Sequence, residues 1–249
     1  MRNGKSPGND SMNEHDEREI IQEASGRLAK FEGMRLLIGV VSCARDRESH
    51  ELIRQTWAKD SPVAVRFFVG RDCPTTEIDE IALDVPDDWN GLPAKVQAVC
   101  RWALFHGYDF LFKCDTDSYV SIARLLASGF ERWHYMGGCG ESENVYPDSC
   151  FPANGGGYFL SRRALSFLAE HMNLGLGKNC EDWCVFLSLM RGASIFVHHD
   201  ARFRANRPEP GQGPSADNDF VILHDAGEHS LRNPERMIRA HEAATELVF

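Results

Sequence analysis

Three observations predict an α/β fold with a mostly parallel, Rossmann-like central sheet flanked by helices. Short continuous apolar runs suit strands buried on both faces. These runs alternate with stretches of helical period, the pattern of a wound α/β sheet. The 249 residues suit one compact domain of this class with short appendages.

Residues 1–33 are polar and mixed in charge, with one weakly amphipathic patch at Ile20, Ile21, Leu28 and Phe31. They are expected to form a disordered lead ending in a short helix, before a single catalytic-type domain over 34–249. Leu36, Leu37, Ile38, Val40 and Val41 predict the first buried strand, followed by a polar loop at 42–47 and a helix over 48–58. A second buried strand is predicted over 63–69, stopping at Gly70. After a loop at 84–91, Leu92, Val96, Val99, Cys100, Ala103 and Leu104 repeat at helical spacing, with Gly107 as the stop. Phe110, Leu111 and Phe112 predict a third strand that runs out into acidic residues.

Helices are expected over 121–130, over 162–171 with Ser161 as its cap, and over 181–191 closed by Gly192. A short strand is expected over 195–197. Asn233-Pro234 reads as an N-cap followed by proline at the first helical position, opening a last helix to about residue 247. In such sheets ligands bind at the carboxyl ends of the strands, which directs attention to Ser42, Gly70 and Asp115.

Lys plus Arg number 27 against 37 Asp plus Glu, a net charge of −10, with no basic stretch to offset it. That argues against a nucleic-acid partner or an anionic membrane surface. The longest apolar run, at 36–44, is far short of the ~20 residues of a membrane span. No apolar segment follows Met1, so neither a signal peptide nor a transmembrane segment is predicted, and a cytoplasmic location is expected. The eight cysteines form no Cys-x-x-Cys pair and are expected to be mostly free, buried thiols.

The most informative stretch is Phe110-Leu111-Phe112-Lys113-Cys114-Asp115-Thr116-Asp117. In extended geometry Asp115 and Asp117 point the same way, and two carboxylates side by side repel unless a cation lies between them. A hard divalent ion with oxygen ligands is the natural occupant. A second Asp-x-Asp, Asp217-Asn218-Asp219, sits in a Gly/Pro/Ser-rich loop and reads as solvated turn residues.

Six blocks in register over about residues 36–226 resemble the β-1,3-galactosyltransferase family, which includes the β-1,3-N-acetylglucosaminyltransferases, Fringe and core 1 synthase. They are Ile53-Arg54-Gln55-Thr56-Trp57, Phe67-Phe68-Val69-Gly70, Asp84 through Trp89 to Leu92 and Lys95, Lys113 through Val120, Gly155 through Ser161, and Glu181-Asp182. The sequence departs from the family pattern at His50, where Arg is usual, at Thr116, the middle of an Asp triple, and at Gly91, usually Asn. Arg45 or Arg47 is the substitute the adjoining loop offers for the missing Arg.

The resemblance implies a GT-A glycosyltransferase fold, an inverting mechanism, a UDP-sugar donor, a saccharide or glycoconjugate acceptor, and Mn²⁺ or Mg²⁺. Galactose is the leading sugar and a β-1,3 bond the leading linkage. It implies metal ligation by Asp115 and Asp117 with a late histidine: His224, after the apolar run 221–223, or alternatively His198 or His199. It also implies Asp182 as the base that takes the acceptor proton, where a helix N-terminus would favour the ionised carboxylate.

The nucleotide-sugar is expected to meet Ser42, Arg47, Arg54, Asp87, Lys95, Thr116 and the glycines Gly155, Gly156 and Gly157. Arg54 and Lys95 serve equally well as structural ion-pair partners. Trp89 and Trp183 are the acceptor-stacking candidates, whereas Trp57 and Trp102 read as core. Animal members of the family are usually Golgi type II membrane proteins, so a trimmed animal-type fragment would belong to the Golgi lumen. The alternative function is a catalytically inactive nucleotide-sugar- or glycan-binding protein of the same fold. A metal-dependent hydrolase is a weaker third, because it leaves Arg54 and the glycine run unexplained.

Overall fold

Four parallel strands, side by side, make up one half of a seven-stranded sheet. A computed structural model describes residues 33–140, 151–152, 157–176, 180–205, 221–224 and 231–245. The chain divides into two units, Met1–Met34 and Arg35–Phe249, and every element below belongs to the second. The lead helix expected before residue 33 lies outside the described residues.

Strand β1 (Leu36–Val41) is buried along its whole length, as its unbroken apolar run requires. It pairs in parallel with β2 (Ala64–Val69) on one side and β4 (Phe110–Asp115) on the other. Strand β3 (Glu80–Ala82), which the sequence reading left out, extends the sheet in parallel beyond β2. Beyond β4 the direction reverses: β9 (Tyr158–Ser161) runs antiparallel between β4 and β6 (Tyr135–Gly137), and β10 (His198–His199) closes the far edge. The resulting order is β10-β6-β9-β4-β1-β2-β3. Close strand packing favours glycine at 39, where a Cβ would lie 2.9 Å from Leu111 Cδ1 and force that methyl to shift.

Helix α1 (Arg47–Gln55) follows β1, and α2 (Leu92–Phe105) connects β3 to β4. The apolar face of α2 (Val96, Val99, Cys100, Ala103) packs with Leu165 and Leu168 of α4 (Arg162–His171) and Val185 of α5 (Glu181–Ser188). Each such fully buried aliphatic side chain contributes roughly 1.5–3 kcal/mol. Helix α3 (Ile122–Leu126) is shorter than expected, giving way to a 3₁₀ turn at Phe130–Arg132. Helix α5 also ends earlier, passing into a π turn at Leu189–Ala193 that stops at Ser194 in the left-handed region. The strand expected over 195–197 is absent; pairing begins at His198.

Ser161 makes no capping bond to α4, its hydroxyl lying 2.9 Å from His134 Nδ1 instead. Helix α6 (Pro234–Thr245) begins as predicted, with Asn233 Oδ1 accepting from the Glu235 N–H at 3.0 Å. Strands β11 (Phe203–Ala205), β12 (Ile222–His224) and β5 (Ser118–Val120) form a second small sheet, and β7 (Cys139–Gly140) pairs antiparallel with β8 (Phe151–Pro152) in a third. Cys43, Cys73, Cys100, Cys114, Cys180 and Cys184 are free thiols. No helix among the described residues is long and apolar enough to cross a membrane.

Candidate functional site

The carboxyl ends of β1 and β4 open into a cavity of about 560 Å³. Register explains the convergence: Val41 pairs with Asp115, so β1 delivers Ser42 beside the acidic end of β4. The cavity wall includes Ser42, Asp87, Lys95, Asp115, Asp117 and Asp182, brought together from five separate segments, with Trp89 at the rim.

On the β1–β2 side Lys95 and Asp87 pair with each other. Lys95, itself buried, donates from Nζ to Ser42 O at 2.6 Å and to Asp87 Oδ1 at 2.7 Å. Asp87 also accepts from the Ala44 N–H at 2.8 Å and the Gly70 N–H at 2.7 Å. Burial alone would push the Asp87 carboxyl up, but Lys95 and these two N–H groups outweigh it and hold it below its usual range. A Cβ at position 70 would come within 2.6 Å of Asp87, so glycine is what lets the strand end and this carboxylate touch. Asp88 accepts from the Gly91 N–H at 2.7 Å and so fixes the entry to α2.

On the β4–α5 side acids outnumber bases. Lys113, 1% exposed, lies 3.0 Å from Asp115 Oδ1 and 2.8 Å from Glu181 Oε2. Tyr158 donates its hydroxyl hydrogen to Glu181 from the other side. Burial would depress the Lys113 ammonium, yet Asp115, Glu181 and Asp182 together hold its pKa well above the ordinary value. Burial raises the Asp115 carboxyl, with Asp117 and Glu181 adding to the rise and Lys113 opposing it. Asp182 is pushed up strongly by burial and by the charge of Glu181 beside it. This reverses the expectation that the α5 N-terminus favours the ionised form: a helix end is worth about 0.3–1 kcal/mol at exposed sites, less than desolvation plus an adjacent like charge.

This donor set fits a hard divalent cation. Asp115 and Asp117 offer carboxylate oxygens to the same cavity, where Asp115 bears the like-charge repulsion that a cation relieves. The backbone of β12 brings His224 opposite Ser118, one residue from Asp117, although its side chain lies outside the described residues. His198 and His199 sit on the far edge strand, where His198 stacks on Trp133 with ring centroids 3.6 Å apart, and neither lines the cavity. Among the described residues no three His, Cys, Asp or Glu side chains meet as a ready ligand cluster.

Other expected residues lie elsewhere. Arg54 forms a two-point pair with Asp79 at 3.0 and 2.6 Å and also reaches Glu80 at 3.2 Å. Arg47 contacts Cys73 Sγ and approaches Glu80 at 3.9 Å. Thr116 is buried, donating to Asp46 at 3.0 Å and accepting from Arg232 Nε at 3.2 Å. Gly157 has φ +67°, and a Cβ there would meet Phe112 and the Lys113 carbonyl below 3.0 Å, so the backbone conformation and the packing against β4 both call for glycine. Gly155 and Gly156 lie outside the described residues. Trp183 packs edge-on to Phe186 and does not line the cavity, whereas Trp89 is 71% exposed.

Arg232 was not anticipated. It lines the cavity and reaches Asp46 at 3.3 Å and Asp117 at 3.4 Å. Nothing local in Leu231-Arg232-Asn233 announces such a role. Lys113 carried a signal, a charge directly after the apolar run Phe110-Leu111-Phe112, whereas Glu181 carried none beyond its place beside Asp182.

No protein-family model and no curated protein matches the chain. Its fold is similar to that of a solved glycosyltransferase involved in glycosylation of the major capsid of PBCV-1. The TM-score is 0.50 with 13% identity, over 82% of this chain and 99% of that one. At that identity the likeness carries the architecture alone: a mixed α/β fold of the GT-A glycosyltransferase kind.

Proposed function

We propose that this chain is a metal-dependent inverting glycosyltransferase. It moves a hexose or N-acetylhexosamine, galactose first among them, from a UDP-sugar to a hydroxyl of a saccharide or glycoconjugate, with a β-1,3 bond as the leading linkage. The observation that carries the reading is the meeting of Asp115, Asp117 and Asp182 on one cavity wall. The glycosyltransferase fold and the sequence resemblance support it.

Asp115 and Asp117, with His224 as the third ligand, would hold Mn²⁺ or Mg²⁺. A bound divalent cation supplies Lewis-acid stabilisation of charge on the leaving diphosphate. Arg45 and Arg232 add positive charge at the same cavity. Asp182 takes the proton from the acceptor hydroxyl as that oxygen attacks C1. The bond from C1 to the phosphate oxygen breaks with inversion, and its electron pair leaves with the diphosphate. A buried carboxylate under like charge has the high proton affinity this step uses. Trp89 offers an apolar face at the rim for the acceptor ring.

The test is Mn²⁺-dependent turnover of a panel of UDP-sugars. Asp115→Ala and Asp117→Ala are expected to abolish it, and Asp182→Asn to keep donor binding while losing transfer by about 10²–10⁴-fold. Full activity of the first two variants in the presence of chelator would sink the metal reading.

A binding protein that kept the fold and lost catalysis is the second reading. The same raised proton affinity of Asp182 favours it, since a carboxyl already protonated accepts nothing. Calorimetric binding of UDP with no product from any UDP-sugar would select it.

A further inference from the structure

Behind the cavity wall, three buried side chains form a chain of hydrogen bonds that the proposed chemistry does not use. Ser42 Oγ lies 2.6 Å from His50 Nε2, and His50 Nδ1 lies 3.0 Å from Glu80 Oε1. The imidazole is fully enclosed and stacks on Phe67 with centroids 4.4 Å apart. Glu80 is 3% exposed, its other oxygen accepts from the Thr76 N–H at 3.0 Å, and Arg54 donates to it at 3.2 Å. These donors keep Glu80 a carboxylate, which can only accept.

The geometry then fixes each proton in turn. Facing an acceptor-only Glu80, Nδ1 must carry the imidazole hydrogen, so Nε2 of the neutral ring is bare. The bare Nε2 takes the Ser42 hydroxyl hydrogen. The other acceptor within reach, the Cys43 carbonyl, is at 3.4 Å. Burial lowers the His50 pKa, in keeping with a neutral ring.

We infer that His50 and Glu80 lock the Ser42 hydroxyl as a hydrogen-bond acceptor toward the cavity. Ser42 is thereby a specificity-determining contact for a ligand that presents an N–H or O–H at the end of β1. His50 is its positioning residue, and the assignment of the ligand rests on the UDP-sugar reading above. Uridine diphosphate carries such donors at the base N3–H and at the ribose 2′ and 3′ hydroxyls. A ligand presenting a bare acceptor at that point would leave two lone pairs facing each other, the kind of mismatch that gives strong discrimination.

Two measurements test this. The first needs no ligand: long-range ¹⁵N–¹H correlation spectra at neutral pH are expected to show His50 with hydrogen on Nδ1 and none on Nε2. A ring protonated on Nε2 alone would overturn the proposal.

The second is calorimetry of Mn²⁺-loaded protein with UDP, N3-methyl-UDP, 2′-deoxy-UDP and 3′-deoxy-UDP. Ser42→Ala is expected to weaken UDP about 10-fold. One analogue is expected to bind the unaltered protein that much more weakly, with no further loss in Ser42→Ala, and its identity tells base from ribose. His50→Phe should cost affinity for UDP but not for that analogue, whereas a merely structural role lowers both alike. His50→Asn, which keeps a side-chain acceptor, covers the case in which the Phe variant fails to fold. Equal and additive losses for all four ligands would overturn the proposal. If none of the four binds while the Nδ1–H tautomer is present, the UDP-sugar reading fails, and the ligand-free spectra separate that failure from failure of the lock.

Discussion

The two sides of the cavity are built from the same residue types to opposite electrostatic ends. On the β1–β2–β3 side Asp87, Glu80 and Asp79 meet Lys95, Arg54 and Arg47, so acids and bases are matched. On the β4–α5 side Asp115, Glu181 and Asp182 crowd around Lys113. The carboxyls titrate accordingly: Asp87 and Glu80 are held down, whereas Asp115 and Asp182 are pushed up. Burial works against the charged form on both sides, so what separates them is the supply of counter-charge. A satisfied network holds shape, and an under-compensated one is prepared for a positive or proton-donating ligand.

The sharpest way to break this comparison is Lys113→Met. Removing the buried cation leaves Asp115 and Glu181 without their counter-charge, and loss of one member of a buried pair costs about 3–5 kcal/mol. Urea denaturation should show that loss, with Glu181→Gln in the same chain recovering part of it. A Met variant as stable as the parent would mean that the acids are already protonated and that the two sides do not differ.

Next in size is the acid limb of stability on the matched side. Burial would raise the Glu80 carboxyl, but His50, the Thr76 N–H and Arg54 hold it at about 2, below the ordinary 4.5 of a glutamate. A depressed folded-state pKa contributes stability that is present above about 4.5 and lost as pH falls toward about 2. That contribution is about 3 kcal/mol. Glu80→Gln should be less stable at neutral pH and should lose less of its stability than the parent between pH 4.5 and 2. Parallel stability–pH curves for the two proteins would refute the matched network.

Much of the site was visible before the fold because its residues end long buried strands or open a helix. Ser42 follows six buried residues, Asp115 terminates β4, and Asp182 lies in the first turn of α5. The pairing of Arg47 and Arg54 was hidden for one physical reason. Their partner Glu80 lies on β3, a strand of three residues with no apolar run, defined by pairing to β2 rather than by its own composition. Without β3, Arg54 reads equally as a phosphate contact or as a structural ion-pair partner, and Glu80 is not visible as the partner of either arginine. Strands β5, β6 and β10 were invisible for the same reason. His50 was noticed only as a departure from a pattern; its meaning required Ser42 and Glu80, 8 and 30 positions away, to close around it.

The comparison sharpens further at Asp117, where charge and stability should part company. Asp117→Asn keeps the shape and one acceptor oxygen while removing one charge from the crowded acidic side. Arg232 retains Asp46 at 3.3 Å and is half-exposed, so its pairing with Asp117 is worth little. Stability is expected to change by less than about 1 kcal/mol. Mn²⁺ affinity, read by electron paramagnetic resonance, should fall at least 10-fold. A large loss of stability with metal affinity unchanged would assign Asp117 to the scaffold.

The smallest effect is expected at the rim, where neither network reaches. Trp89 is 71% exposed, so removing it leaves little cavity behind and should shift stability by under about 0.5 kcal/mol. Its indole face stands where an acceptor ring would approach a cavity walled by Asp115 and Asp182. Stacking of that kind is worth on the order of 1 kcal/mol, which predicts a several-fold rise in acceptor KM for Trp89→Ala. Donor affinity and the rate at saturating acceptor should stay close to those of the parent. A rise in donor KM instead would move the tryptophan to the nucleotide end and reverse the direction in which the two substrates lie across the cavity.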